Sequence, residues 1–290
     1  MAIFDVSNGR TPKDRVLLKE DFISLDGILL NKTEYEEFRR DLQEAIDPDE
    51  GYGNVLRPVF IVVVNQGNLF SKAGEAIRKF APGRDGSKEK YWHASMSFGP
   101  NLKHLYSFSN GHEIAGNNKY KGGLSFESIE YYKKWYAPDA TMQVSCILLA
   151  KENFNKVKET LNYYFMNKEK TSYHTTGLID IFFHKGQADK MRLSNICSQF
   201  VDSVLRNSGI HISKRLNNLT SPTDLSAAEG DRKQFVVYDG KIREYDEKAV
   251  IEKVDAISRK KSNEYFKLLE KEKKEEEKKK EKEDKKDNKK

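Results

Sequence analysis

The sequence predicts an α+β protein in which an antiparallel sheet packs against helices, and three segments carry this prediction. Residues 59–64 form an unbroken apolar, β-branched run of strand length, typical of a strand covered on both faces. Residues 91–98 alternate between apolar and polar side chains, as a strand with two different faces does. A further strand over residues 141–150 leads into residues 151–166, whose apolar side chains recur at the spacing of an amphipathic helix.

The composition fits one large globular domain with appendages at both ends. Hydrophobic residues make up 37% of the 290 residues, and residues 271–290 hold eleven lysines, eight acids and one Asn. The rest of the chain carries 40 basic and 37 acidic side chains, so the net charge of +6 does not indicate a clustered cationic surface. We therefore expect no nucleic-acid partner.

The membrane and redox signals favour a cytoplasmic location. The chain has no run of 18 apolar residues, so we expect no membrane span, and its first residues lack the layout of a secretory signal. Its two cysteines, Cys146 and Cys197, are too few for a disulfide scaffold or for a zinc site built mainly on thiolates. We expect no metal and no other cofactor, because none of the six histidines has a convincing metal-ligand spacing.

Three regions are predicted along the chain. Residues 1–55 form an N-terminal helical extension, in which Thr33 and Glu36 make a capping box. Residues 56–245 form the main domain. Residues 246–290 begin as a helix and end in a charged Lys/Glu-rich tail, which we expect to be disordered, with a solvated single helix as the alternative.

Two hairpins are predicted within the main domain. The strand over residues 91–98 is joined to a strand over residues 104–109 through Gly99-Pro100-Asn101. Residues 235–238 form a short strand, and Asp239-Gly240 supplies a turn after it.

A helix with a cysteine in its first turn is the segment of greatest chemical interest. Ser194 or Asn195 is placed to cap this helix, apolar residues recur along it as far as Leu205, and Gly209 ends it. Cys197 therefore lies among unpaired backbone N–H groups at the positive end of the helix dipole, which favours a thiolate.

A nucleophilic thiolate needs a base, and His93 is the best candidate of the six histidines because it lies on the polar face of a strand whose other face is apolar. The residues alone also allow structural roles. A lone cysteine near a helix start is more often a small buried side chain, and a lone histidine is more often a hydrogen-bonded structural residue. Cys146 lies in an apolar strand and is expected to belong to the core.

Residues 91–98, 105–108 and 195–201, in that order, resemble the circularly permuted NlpC-type papain-like family. In that family the strand with the histidine precedes the helix with the cysteine. Four further landmarks fit this order, namely residues 59–71, residues 122–127, Tyr173 with Gly177, and residues 208–225. The resemblance covers residues 58–226.

The resemblance implies a permuted papain-like fold in which an antiparallel sheet packs on the Cys-bearing helix. It also implies that Cys197 attacks a carbonyl carbon as a thiolate and that His93 acts as base and then as acid. A third polar residue normally orients the imidazole in this family, and the hairpin register favours Ser107, fourteen residues after His93. Serine orients an imidazole more weakly than Asn, Asp or His, so Glu127 is the alternative.

The implied activity is that of a cysteine peptidase or amidase that works through a thioester intermediate on peptide or peptidoglycan-stem amide bonds. Two alternatives remain open. Residues 195–201 also resemble the Cys-helix motif of lecithin retinol acyltransferase-like proteins, which would imply lipid acyl transfer or ester cleavage. A non-catalytic structural protein, for example a virion-associated one, would retain the fold as a scaffold. The aromatic residues of segment 131–136 are expected to pack in the interior or to line a groove.

Overall fold

The α+β class is confirmed by the structure, a computed structural model that describes residues 56–65, 90–109, 123–166, 171–173, 194–213, 220–228 and 233–287. Within these residues, six strands form one antiparallel sheet and four α-helices accompany it. The predicted N-terminal extension, with Thr33 and Glu36, lies outside the described residues.

The sheet has the order β4-β3-β2-β1-β5-β8, and every neighbouring pair is antiparallel. Its strands are β1 (Leu56–Asn65), β2 (His93–Ser97), β3 (Leu105–Ser109), β4 (Gly123–Glu127), β5 (Thr141–Ala150) and β8 (Phe235–Lys241). A separate parallel pair joins β6 (Ser172–Tyr173) to β7 (Ser194–Asn195). The predicted hairpin of β2 and β3 is confirmed, with Met96 opposite Tyr106.

Strand β1 is central, between β2 and β5, and this position explains its continuous apolar sequence. Residues 59–64 are each at most 1% exposed, which confirms the prediction that both faces are covered. A strand buried on both faces cannot alternate between apolar and polar side chains, because neither face meets water.

Two helices cover each face of the sheet. Helices α2 (Lys151–Met166) and α3 (Cys197–Asn207) pack on one face, which we call the first face. Helices α1 (Ile129–Trp135) and α4 (Glu247–Asp287) pack on the other, which we call the second face. Two 3-10 helices, Thr223–Leu225 and Ile242–Glu244, complete the described elements.

The first face is a continuous apolar core. Strands β1 to β5 supply alternate side chains to it, and helices α2 and α3 supply the facing layer. Its members with no exposed area include Ala94, Met96, Phe108, Leu124, Val157, Leu161, Phe200, Val201, Val204 and Leu205. Aromatic rings interlock at its centre, where Phe108 packs against Phe200 at 4.8 Å and against Tyr164 at 5.7 Å between ring centroids.

Helix α3 begins and ends close to its predicted positions, but its cap is different. Its N-cap residue is Ile196, with no side-chain capping bond, rather than the predicted Ser194 or Asn195. Those two residues form β7 instead, so their backbone is committed to a strand pair. The Ile196 N–H donates to the Gln199 side-chain oxygen at 3.4 Å, and Gly209 ends the helix with a φ of +79° as predicted.

The hairpin turn predicted at Asp239-Gly240 is wrong. Both residues lie inside β8, where Asp239 pairs with Gln143 and Gly240 pairs with Met142 of the long strand β5. A chain that has a partner strand to extend along continues past a turn-forming dipeptide, because the ladder hydrogen bonds outweigh the local preference.

Helix α4 continues through Asp287, whereas the sequence predicted a helix that passes into a disordered tail. The helical alternative has a physical basis in the spacing of its charges. Glu275 precedes Lys279 and Glu276 precedes Lys280 by four residues, the order of signs that best supports an exposed helix. Val250 and Val254, near the start of α4, pack on the second face of the sheet.

Candidate active site

His93 lies at the start of β2 on the second face, as the alternating pattern predicted. Its neighbours Ala94 and Met96 belong to the apolar core of the first face, while His93 and Ser95 point the other way. The polar face is nevertheless buried, because His93 is 8% exposed and Ser95 is fully covered. Buried polar groups need partners, so the contacts of His93 define the site.

A carboxylate is the closest partner of the imidazole. The distance from His93 Nε2 to Glu127 Oε2 is 2.8 Å, and the Glu127 side chain is 2% exposed. Glu127 ends β4, which is not a neighbour of β2, so its side chain must reach over the intervening strand β3. The β3 residue beneath this contact is Ser107, whose small side chain leaves room for it.

Ser107 also reaches the imidazole, but through a weaker contact. Its Oγ lies 3.3 Å from His93 Nε2, and the hydroxyl donates to the Ala94 carbonyl oxygen at 2.6 Å. The single hydroxyl proton is therefore engaged with the backbone, and Oγ is left as a second, longer acceptor for Nε2. Of the two candidates for the third residue, Glu127 makes the shorter and the charged contact.

Two hydroxyl groups donate to the Glu127 carboxylate, and a third contacts one of these two. Ser125 Oγ donates to Oε1 at 3.2 Å, and the Tyr132 hydroxyl donates to Oε2 at 2.5 Å. Ser95 Oγ lies 3.0 Å from the Tyr132 hydroxyl oxygen. A carboxylate that accepts several hydrogen bonds is held in one orientation.

Cys197 meets His93 at the end of the sheet. Helix α3 packs on the first face, and its first turn brings the Cys197 sulfur to 3.9 Å from the carbonyl oxygen of Trp92, the residue before β2. The Cys197 side chain also acts to raise the pKa of His93. Cys197 itself is 4% exposed.

The segment that follows α3 fixes the cysteine helix against the histidine strand. At the helix, Ser198 Oγ donates to the Thr220 carbonyl oxygen at 2.7 Å. At the strand, Thr223 Oγ1 accepts the backbone N–H groups of Lys90 and Tyr91 at 2.9 and 3.0 Å. The two halves of the candidate site, which are about a hundred residues apart in the chain, are thus tied together independently of the Cys197 and His93 side chains.

A buried ion pair anchors the same segment further along α3. Arg206 Nε donates to Asp202 Oδ2 at 2.7 Å, and Thr220 Oγ1 donates to the same oxygen at 3.0 Å. Asp202 is fully buried and Arg206 is nearly so at its side chain, so this pair is shielded from solvent.

The electrostatics of the site favour a protonated imidazole. Burial acts to lower the pKa of His93, but the Glu127 charge and the Cys197 side chain together raise this pKa well above its ordinary value of 6.5. The other cysteine behaves differently. Burial without a charged partner raises the pKa of Cys146 to about 12, which agrees with its predicted place in the core.

Sequence reasoning missed Tyr132, Ser95 and Ser125 as members of this cluster. Tyr132 was expected to pack in the interior or to line a groove, and its ring is indeed fully buried. Its hydroxyl reaches Glu127 because Ser128 caps α1 directly after β4, through a bond from Tyr131 N–H to Ser128 Oγ at 3.1 Å. The sequence did offer one signal for the two serines. Ser95 is two residues from His93 in β2, and Ser125 is two residues from Glu127 in β4.

Five further histidines lie elsewhere in the chain. His104 directly precedes β3 and is 9% exposed, and His211 contacts Arg206 at the far end of α3. His112, His174 and His184 lie outside the described residues. Across the described parts of the chain, no three His, Cys, Asp or Glu side chains are grouped as a metal would require. None of the helices in those parts has both the length and the apolar character of a membrane span.

Comparisons with protein-family models, with curated proteins and with solved structures return no significant match for this chain.

Proposed function

We propose that the protein is a cysteine hydrolase of amide bonds, with Cys197 as nucleophile, His93 as base and acid, and Glu127 as the residue that orients the imidazole. The observation that carries this proposal is the proximity of three groups. The first turn of α3 brings the Cys197 sulfur to 3.9 Å from the carbonyl oxygen of Trp92, the residue before His93, and the Cys197 side chain raises the pKa of His93. Nε2 of the same His93 ring is 2.8 Å from Glu127 Oε2. A nucleophile, a base and an orienting carboxylate in this sequence are the recurring parts of covalent acyl transfer.

The first half of the reaction forms a thioester. The Cys197 thiolate attacks the amide carbonyl carbon, and the oxyanion of the tetrahedral intermediate is held by the Cys197 backbone N–H. This N–H belongs to the first turn of α3, where N–H groups have no intrahelical acceptor. The imidazolium of His93 gives its proton to the leaving amine, the C–N bond breaks, and an acyl-thioester remains on Cys197.

The second half of the reaction releases the acid. Neutral His93 takes a proton from a water molecule, which attacks the thioester carbonyl carbon. The C–S bond then breaks, the carboxylic acid leaves, and the proton retained on His93 restores the ion pair with Cys197. Glu127 stabilises the imidazolium each time it forms.

A permuted papain-like fold of NlpC type is the architecture that best accommodates this chemistry. Two features support it. The histidine strand precedes the cysteine helix in the chain, and that helix packs against the antiparallel sheet beside the histidine strand. Peptides and peptidoglycan stems are the substrate class that the resemblance suggests.

A non-catalytic scaffold is a second candidate, and one observation favours it. Cys197 is 4% exposed and His93 is 8% exposed, so the reacting groups are nearly covered in the structure. A scaffold that keeps the fold has no need of an open site. The two candidates differ in whether a small electrophile or an amide substrate reaches the sulfur.

The full-length protein and two matched variants test the hydrolase proposal. The substrates are a library of fluorogenic peptide amides and a set of muropeptides, and the acyl-enzyme is detected as added mass on Cys197. We expect Cys197→Ala to abolish turnover with a melting temperature within a few degrees of the wild type, while Cys146→Ala retains turnover. If no substrate acylates the wild-type protein and its thiol shows no enhanced reactivity, the scaffold is the correct function.

A further inference from the structure

We infer that Tyr132 is a positioning residue that tempers the basicity of His93 through Glu127. This inference rests on the proposed function, because it assigns a role in tuning the same site. The contacts form a chain of hydrogen bonds from Ser95 to Tyr132, from Tyr132 to Glu127, and from Glu127 to His93.

The direction of each hydrogen bond follows from the number of protons available. Tyr132 has one hydroxyl proton, and it is given to Glu127 Oε2 at 2.5 Å. The contact of 3.0 Å between Ser95 Oγ and the Tyr132 oxygen must therefore be donated by Ser95. Burial and then the Glu127 charge raise the pKa of Tyr132 well above 10.0, so the phenol keeps its proton at neutral pH.

Tyr132 and His93 share one oxygen atom of the carboxylate. Both contacts, at 2.5 and 2.8 Å, are made to Glu127 Oε2. A neutral donor on that oxygen stabilises the carboxylate charge and draws it away from the imidazole. Without this sharing, the carboxylate would hold the imidazolium more tightly, and a base that cannot release its proton is poor at the acid step of catalysis.

The position of Tyr132 is fixed by its packing as well as by its hydroxyl. The side chain is fully buried, and its ring meets the His93 ring edge-on, with centroids 6.0 Å apart. The Tyr136 ring also packs against the Tyr132 ring, with centroids 4.9 Å apart and an angle of 31° between the ring planes. Packing of this kind holds the Tyr132 hydroxyl in one position. A tyrosine that only filled space in the core would not need its hydroxyl in a fixed position.

Four titratable groups in the described parts of the chain act on this cluster. Glu127 comes from β4, Cys197 comes from α3, Tyr132 comes from α1, and Tyr136 is the residue that directly follows α1. Removal of the Tyr132 hydroxyl leaves the other three in place, so its effect on His93 is measurable by itself.

The test is the titration of His93 in the full-length protein, followed by ¹⁵N NMR of labelled histidines and assigned with His93→Ala. We expect Tyr132→Phe to raise the titration midpoint of His93 by about one pH unit, the size expected for one lost bond to a charged group. Tyr245→Phe is the matched control, because Tyr245 donates to the Pro100 carbonyl in the same apolar cluster without touching Glu127. We expect the titration midpoint of His93 in Tyr245→Phe to equal that of the wild type.

An unchanged or lowered midpoint in Tyr132→Phe would overturn the inference. If Tyr132→Phe does not fold, Ser95→Ala takes its place, because loss of the bond from Ser95 weakens Tyr132 as a donor. We expect a smaller rise in the same direction, and an unchanged or lowered midpoint would again overturn the inference. This readout does not depend on the reactivity of Cys197. An unreactive Cys197 with a shifted midpoint would refute the hydrolase alone, and a reactive Cys197 with a fixed midpoint would refute the tuning alone.

Discussion

The two faces of strands β2, β3 and β4 are buried alike but are built from opposite chemistry. On the first face, Met96, Phe108 and Leu124 are fully covered and belong to the apolar core. On the second face, Ser107 and Ser125 are equally covered, yet they surround a charged carboxylate and an imidazole. Burial alone therefore does not separate core from site, and the hydrogen-bond partners of the buried residues do.

The two cysteines repeat this difference. Cys146 lies in the middle of β5 among apolar side chains, and Cys197 lies at a helix start beside an imidazole. Their exposed fractions, 1% and 4%, are nearly the same. What distinguishes a structural thiol from a candidate nucleophile here is its charged neighbour and its place on the helix.

The largest effect on the rate of acylation is expected when the carboxylate charge of Glu127, on the second face, is removed without a change in the shape of the side chain. Glu127→Gln should slow acylation of Cys197 by about 10²-fold, because the amide no longer stabilises the imidazolium. Ser107→Ala should slow it less than about threefold, since Ser107 makes only the longer contact to Nε2. The measurement is the rate of acyl-enzyme formation for both variants. The reverse order of effects would make Ser107 the orienting residue.

A substitution on the apolar first face should lower the free energy of unfolding and leave the rate of reaction at Cys197 unchanged. Phe108 is the chain neighbour of Ser107 but points into the first face, so Phe108→Ala leaves a cavity among Tyr164 and Phe200. We expect a loss of about 3–5 kcal/mol in the free energy of unfolding, measured by urea denaturation. The folded fraction should keep the wild-type rate at Cys197. If fully folded Phe108→Ala reacts more slowly at Cys197 than the wild type, packing on the first face also affects the reactivity of the second face.

The second face should also make stability depend on pH. The pKa of His93 is raised in the folded protein above its ordinary value of 6.5. Its imidazolium therefore contributes stability that is fully present below the unfolded pKa and is lost as the pH rises through the folded pKa. Thermal unfolding across this range should show the decline in the wild type. In His93→Gln this decline of stability with rising pH should be smaller. An equal decline in that variant would mean that other titratable groups cause it.

The smallest effect is expected at the charged end of α4. Residues 271–280 are fully exposed helix, and residues 271–290 contain no apolar side chain. Deletion of residues 271–290 should leave the melting temperature and the rate at Cys197 unchanged. A shortened protein that fails to fold would show that this helix supports the sheet.

The sequence predicted those parts of the site that depend on local periodicity. The period of two along residues 91–98 assigned His93 to a polar face, and the period of the helix after Ile196 assigned Cys197 to a first turn. These two assignments needed no knowledge of distant contacts. The strands β1 and β5 and the helix α2 were predictable for the same reason.

The partner of the imidazole could not be chosen from the sequence. Glu127 is 34 residues from His93 and two strands away, so the contact depends on the register of β3 with both neighbours. Hairpin geometry alone favoured Ser107, which does reach the same nitrogen. The wrong turn at Asp239-Gly240 has a similar cause, because its partner strand β5 lies about a hundred residues earlier.

The most direct test of the account is the rate at which iodoacetamide alkylates Cys197 near pH 6, read by mass spectrometry of the intact and digested protein. An imidazolium beside the sulfur predicts rapid alkylation of Cys197 in the wild type, none of Cys146, and at least a tenfold loss of rate in His93→Ala. Equal and slow alkylation of Cys197 in both proteins would contradict the pairing of this thiol with His93.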